Sequence, residues 1–102
     1  MTNTEVVGYV KNAMRITHTA LDSTLSADVD AGALDAFERG VSVFTLVNDV
    51  QEIRDDKLVL QLLVLYCQGK EDYQGKGDMY RRDYNALCDS MSLYKGYKAD
   101  AR

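Results

Sequence analysis

Residues 58–67 read LVLQLLVLYC, a run in which every residue except Gln61 is apolar. Such a run forms either a central helix or a strand buried on both faces. Leucine outnumbers valine five to two, Asp55-Asp56 stands just upstream, and the run is ten residues long. All three features favour a helix, because leucine suits it, negative charge suits its start, and buried strands are usually shorter. A helix without a polar face must be covered on every side, so the rest of the chain has to wrap it.

Downstream, residues 68–77 are polar and carry three glycines, the composition of a surface turn. A further helix follows from Asp78, with Tyr80, Tyr84, Leu87, Cys88 and Met91 as its apolar stripe. Its other faces carry Arg81, Arg82, Asp83 and Asp89. Upstream, residues 41–54 (VSVFTLVNDVQEIR) fit neither period cleanly. The β-branched density at 41–47 permits a short strand, whereas Phe44, Val47, Val50 and Ile53 suit an irregular helical turn. The stretch reads as a packed connector with short extended pieces.

Before the connector, Leu21, Leu25, Val29, Ala33 and Phe37 recur at i, i+4. Asp22, Asp28, Asp30, Asp35 and Glu38 fall mostly on the other faces of this acidic helix. Thr19, Asp22, Ser23 and Ser26 compete to cap it, and Gly40 is placed to end it in the left-handed conformation. Gly32 permits close approach of a neighbouring backbone. The opening helix starts at Thr4, buries Val6, Val7, Val10, Ala13 and Met14, and fades near Arg15. The expected fold class is mainly α. It comprises a four-helix domain over residues 1–92, an irregular connector between helices two and three, and a short basic tail over residues 93–102.

The 102 residues include no proline, no tryptophan, one histidine and two cysteines. Absence of proline agrees with helix throughout. At this length about 60–70% of the unfolded surface is buried, enough for one core and too little for a large internal active-site cavity. The chain is 46% apolar, too much for a disordered segment. No apolar run approaches the ~20 residues of a membrane span, and MTNTEVVGYVKN lacks a signal-peptide layout. A soluble intracellular domain is expected. The net charge of −4 hides a division: residues 1–56 carry ten acids against four bases, and residues 57–102 carry six against eight. Halves of −6 and +2 suit head-to-tail association of identical subunits.

Little reactive chemistry is visible. His18 stands alone between Thr17 and Thr19 and reads as a capping residue. Cys67 and Cys88 match no zinc spacing and read as small buried packing residues. Asp28, Asp30 and Gly32 lack the remaining ligands of a calcium loop, while Glu52, Asp55 and Asp56 read as helix-start charges. Gly75-Lys76-Gly77 lacks the ending of a phosphate loop, and no Gly-x-Ser-x-Gly elbow occurs. No catalytic residue, cofactor or metal ligand is expected, and the chain is not read as an enzyme. Arg81, Arg82 and Asn85 offer a helix-turn-helix surface for DNA. Asp78, Asp83 and Asp89 share that surface, and the negative net charge opposes phosphate binding.

Seven of the nine aromatic residues are tyrosines, and five of these follow residue 70. Tyr66, Tyr80 and Tyr84 are placed to knit the third and fourth helices together. Tyr94 and Tyr97 lie beyond the last helix and alternate with Lys95 and Lys98. Tyrosine supplies contact area with a polar end, which makes these four the candidate partner-binding residues.

Five segments then form an ordered pattern: MRITHTALD at 14–22, the acidic helix closed by Gly40-Val41, Leu65-Tyr66-Cys67, the turn with Tyr73, and YRRDYNAL at 80–87. Their order over roughly residues 4–97 resembles the head–tail connector family of tailed bacteriophages and prophages, also described as phage DNA-packaging proteins. The stretch 42–54 departs from that pattern, being longer and more apolar than a simple loop. The resemblance implies a small helical protein without enzymatic activity, assembled as a homo-oligomeric ring beneath the portal protein. It implies a place in the virion neck after assembly in the host cytoplasm, without membrane contact. There the ring would extend the exit channel, retain packaged DNA without reading its sequence, and dock tail or stopper proteins. The same resemblance points the C-terminal tail at the portal, with Tyr94 and Tyr97 as anchors. The alternatives are a helix-turn-helix DNA-binding regulator and a helical protein-interaction adaptor.

Overall fold

The computed structural model describes residues 1–99. Its elements are α1 (Asn3–Ala13), α2 (Asp22–Glu38), β1 (Phe44–Val47), β2 (Val50–Ile53), α3 (Lys57–Lys70) and α4 (Gly77–Met91), with a short 3₁₀ turn at Tyr73–Gly75. The apolar run 58–67 lies in the central helix α3, which packs against α1, α2 and α4. Val59, Leu60, Leu62, Leu63, Val64, Leu65 and Cys67 are buried, Tyr66 is half-buried, and the exposed residues of the run are Gln61, as expected, and Leu58 at its start. The helix runs past Cys67 to Lys70, and its last turn keeps Gln68 and Gly69 buried. Gly69 is needed there, because a Cβ would lie 2.8 Å from Cγ of Arg81 on α4.

The helix starts obey local chemistry that propensity alone does not rank. α1 is capped by Thr2 rather than Thr4. The Thr2 hydroxyl accepts the Glu5 N–H at 3.3 Å, and the Glu5 carboxylate accepts the Thr2 N–H at 2.9 Å. This reciprocal box needs a three-residue spacing, which Thr2 and Glu5 have. The backbone and hydroxyl bonds of Thr2 hold the Glu5 carboxyl below its usual range. α2 begins without a side-chain cap. In the preceding turn His18 Nδ1 accepts the Ala20 N–H at 3.3 Å, and a 2.7 Å ion pair from Lys11 to Asp22 joins the end of α1 to the start of α2. Gly40, at φ +93°, closes α2 in the left-handed conformation.

Residues 41–54 are more regular than their periodicity suggests. β1 and β2 form an antiparallel hairpin with Phe44 opposite Ile53 and Val47 opposite Val50. The four residues that suggested a helical turn are therefore two cross-strand pairs. The deciding feature is Asn48-Asp49, with φ of 51° and 65°. Two consecutive left-handed residues make the tight turn whose twist matches a hairpin, and Asn and Asp tolerate it.

Core packing is tightest where α2 crosses α3. Gly32 accommodates the Tyr66 ring, and a Cβ there would stand 2.8 Å from two ring carbons. The close neighbour is thus a side chain rather than a backbone. The Tyr66 ring in turn meets Tyr84 of α4 edge-on at 5.2 Å. Gly32→Ala should lower stability by about 1–3 kcal/mol through overpacking. Gly8, with open space around it inside α1, should respond oppositely: Gly8→Ala should raise stability by about 0.5–1 kcal/mol. Urea unfolding of the two variants checks both signs.

Candidate functional site: a hairpin arm beside the C-terminal turn

The hairpin is anchored only at its base. Val43 and Ile53 are buried, and Phe44 meets Phe37 of α2 at 5.7 Å. Beyond that base, Leu46 is 70% exposed and Val50 60% exposed, with Val47 exposed beside it. Successive strand residues point to opposite faces, so Leu46 lies on one face while Val47 and Val50 lie on the other. Apolar exposure on both faces describes an arm standing out from the domain, not a sheet covering the core. The arm carries Asp49 and Glu52 and no basic residue. A groove of about 380 Å³ runs beside it, lined by Met1, Asn3, Asp30, Ala33, Phe44 and Val50. The Asn3 amide donates to Asp30 at 2.7 Å across that groove.

The N-terminal residue and one guanidinium fix the root of the arm: the Met1 ammonium donates to the Ile53 carbonyl at 2.5 Å and pairs with Glu52 at 3.2 Å, and the Met1 carbonyl accepts the Ile53 N–H at 2.9 Å. Arg54 Nη1 donates to the carbonyls of Ser42 and Gly96 at 3.1 Å each, and Nη2 donates to Asp56 at 2.5 Å. Its planar face lies over the Tyr97 ring, 5.0 Å from the centroid. Asp56, at the position before α3, is held by Arg54 and makes no hydrogen bond that caps the helix. One side chain therefore joins the end of β2, the start of α3 and the turn after α4.

That turn folds back along the end of α2. The Ser42 N–H donates to the Tyr97 carbonyl at 2.7 Å, and the Ala99 N–H donates to the Gly40 carbonyl at 2.8 Å. Val41 and Lys98 form an antiparallel bridge. Of the four candidate partner-binding residues, Tyr97 is half-buried under Arg54, while Tyr94, Lys95 and Lys98 are exposed. Residues 100–102 of the basic tail lie outside the described residues. The structure adds Leu93, 81% exposed beside Tyr94, together with Leu46, Val47 and Val50 on the arm. Only Asn48-Asp49 signals the arm in the sequence, through its turn chemistry. Nothing local marks Leu93 as exposed.

The polar groups elsewhere serve the fold. Arg39 contacts Asp35 at 3.0 Å and Asn85 at 2.8 Å and lies over the Tyr84 ring. Arg81 binds Asp78 and the Gly69 carbonyl. Two of the three residues suited to a DNA-reading helix, Arg81 and Asn85, are thus engaged within the domain. The Tyr84 hydroxyl donates to Asp35 at 2.6 Å, and burial pushes that phenol far above its usual range. Cys67 and Cys88 are buried free thiols, and burial pushes Cys67 up to about 12. Among the described residues no three His, Cys, Asp or Glu side chains converge as a metal-binding group, and no helix is long and apolar enough to cross a membrane.

Asp28 is the exception to the solvent-facing acids of α2. It is buried, and its Oδ2 has no hydrogen-bond donor. Burial, reinforced by a hydrogen bond with Glu71 and by that neighbour's charge, pushes its carboxyl up to about 7 against the opposing effect of Lys70. Keeping the Asp28 carboxyl protonated relieves an otherwise uncompensated buried charge.

Comparison with known protein families, curated proteins and solved structures finds no match to this chain.

Two predictions follow from these contacts. Tyr97→Ala should lower the unfolding free energy by about 1–2 kcal/mol, through lost stacking on Arg54 and lost burial, while Tyr94→Ala should stay within about 0.5 kcal/mol of the parent. Thermal unfolding separates the two. For Asp28, the folded carboxyl keeps its proton to about pH 7 while the unfolded one loses it near its ordinary value of 3.8. Stability should therefore fall as pH rises between those values, and Asp28→Asn should flatten that slope in urea titrations across the range.

Proposed function

We propose that this chain is a non-enzymatic structural subunit of a phage head–tail connector, working as a ring under the portal protein. The observation that carries the reading is the apolar arm. A small domain with a complete core extends Leu46, Val47 and Val50 toward solvent, outside that core. Exposed aliphatic surface of this kind marks a protein contact. The ordered segments from Met14 to Leu87 supply the connector assignment, and the division of charge between the two halves supports head-to-tail repetition. In this role the ring extends the DNA exit channel and retains packaged DNA without reading its sequence. It presents its far side to tail or stopper proteins.

The test combines the purified chain with the portal protein encoded near it. Co-sedimentation with portal rings is expected, and deletion of the gene should leave filled heads that lose DNA and fail to join tails. Absence of portal binding together with normal head–tail joining would discard the proposal. A salt-sensitive shift of duplex DNA at physiological ionic strength, without portal binding, would favour the DNA-binding regulator instead.

A further inference from the structure

The arm and the C-terminal turn each leave several large aliphatic or aromatic groups open beside charge of one sign. The arm presents Leu46, Val47 and Val50 with Asp49 exposed at its tip, while Glu52 is ion-paired with the Met1 ammonium at 3.2 Å. The turn presents Leu93 and Tyr94 with Lys95 and Lys98. We propose that the arm of one copy docks on the C-terminal turn of a second copy. The contact deepens the connector-ring reading, and rests on it for closure into a ring, although the pairing itself is argued from the two surfaces alone.

Three observations select this arrangement. First, an arm against an arm would bring the exposed Asp49 near its own copy, and a turn against a turn would do the same with Lys95 and Lys98. Arm against turn puts apolar groups together and opposes acids to bases, so the contact is heterologous. Secondly, one copy cannot satisfy itself. Its turn is bound at the root of its own arm, through Arg54 to Gly96 and through Ser42 to Tyr97. The tip at Asn48-Asp49 stands roughly 10 Å further out, at about 3.3 Å per strand residue. Thirdly, among the described residues the outer edge of β1 pairs with no other strand, so its backbone groups are open to an extended segment of a neighbour.

Because each copy offers one arm and one turn, the pairing repeats without using up either surface. It continues as a ring or a filament according to the rotation between copies. It also assigns the turn to a neighbouring subunit, where the resemblance alone points it at the portal.

Cysteine cross-linking tests the geometry directly. The native thiols are buried, so single Leu46→Cys and Leu93→Cys variants each carry one accessible thiol. Equal amounts of the two are mixed at high concentration and oxidised with diamide. The 46–93 heterodimer should exceed either homodimer by about 5-fold or more, above the 2-fold ratio of random collision. Adding Lys95→Glu and Lys98→Glu to the Leu93→Cys chain should reduce that yield, and adding Asp49→Asn to the Leu46→Cys chain should restore part of it. Circular dichroism and the thermal midpoint confirm that each variant is folded. A dominant 46–46 product, or a random product ratio, overturns the proposal. The portal assay separates the two readings: portal binding without the 46–93 link refutes this contact alone, and the 46–93 link without portal binding refutes the connector role alone.

Discussion

The structure depends on one constraint: α3 has no polar face. A helix of that kind is stable in water only when neighbours remove most of its circumference from solvent, and α1, α2 and α4 together do so, leaving Leu58 and Gln61 of the apolar run exposed. The demand reaches single residues. Gly32 and Gly69 stand where a side chain would collide with Tyr66 or Arg81, so close approach to α3 is possible only with glycine there. Close wrapping also traps polar groups. The Tyr84 hydroxyl is satisfied by Asp35, whereas burial near Glu71 raises the Asp28 carboxyl to about 7. The pH sensitivity of the fold thus has the same origin as its core.

Wrapping α3 leaves the hairpin outside. Its base contributes Val43, Phe44 and Ile53 to the interior, but the strands beyond have no layer to pack against. A two-stranded hairpin is marginal by itself, so its orientation has to be imposed at the root. Arg54 does this by joining β2, α3 and the C-terminal turn through hydrogen bonds and by stacking on Tyr97. The same contacts hold the turn in place. The arm and the turn are therefore separate surfaces linked through Arg54, with Met1 also bound to β2, and a connection between copies through them would reach the start of the central helix.

Most of the helical architecture was legible in the chain. Periodicity located four helices, the leucine-rich run identified the central one, and Gly40 marked the end of α2. The misplacements share a cause. Thr2 and Thr4 are equal as caps until the reach of Glu5 is considered, and the residues at 44, 47, 50 and 53 mimic a helical period because a two-residue turn brings them into register as pairs. Asp28 looks solvent-facing from its neighbours in sequence, but the angular width of the buried stripe on α2 depends on how closely α3 approaches, and Gly32 makes that approach close. Of the candidate partner surface, Tyr94, Lys95 and Lys98 were visible as an exposed basic segment, while the arm was hidden inside an apolar stretch.

The sequence by itself determined that a buried helix must exist, that helices surround it, and that the charge is divided between the halves. These follow from composition and spacing, which act locally and need no knowledge of what lies opposite. The tertiary structure alone decided which apolar residues have no partner. Leu46 and Leu63 are both leucines in apolar runs, yet one is exposed and the other buried. The difference is whether another element stands against that face, and hydrophobicity as a property of the residue carries no information about its neighbours. That is why the core could be read from the chain, and why the surface that the chain leaves open could not.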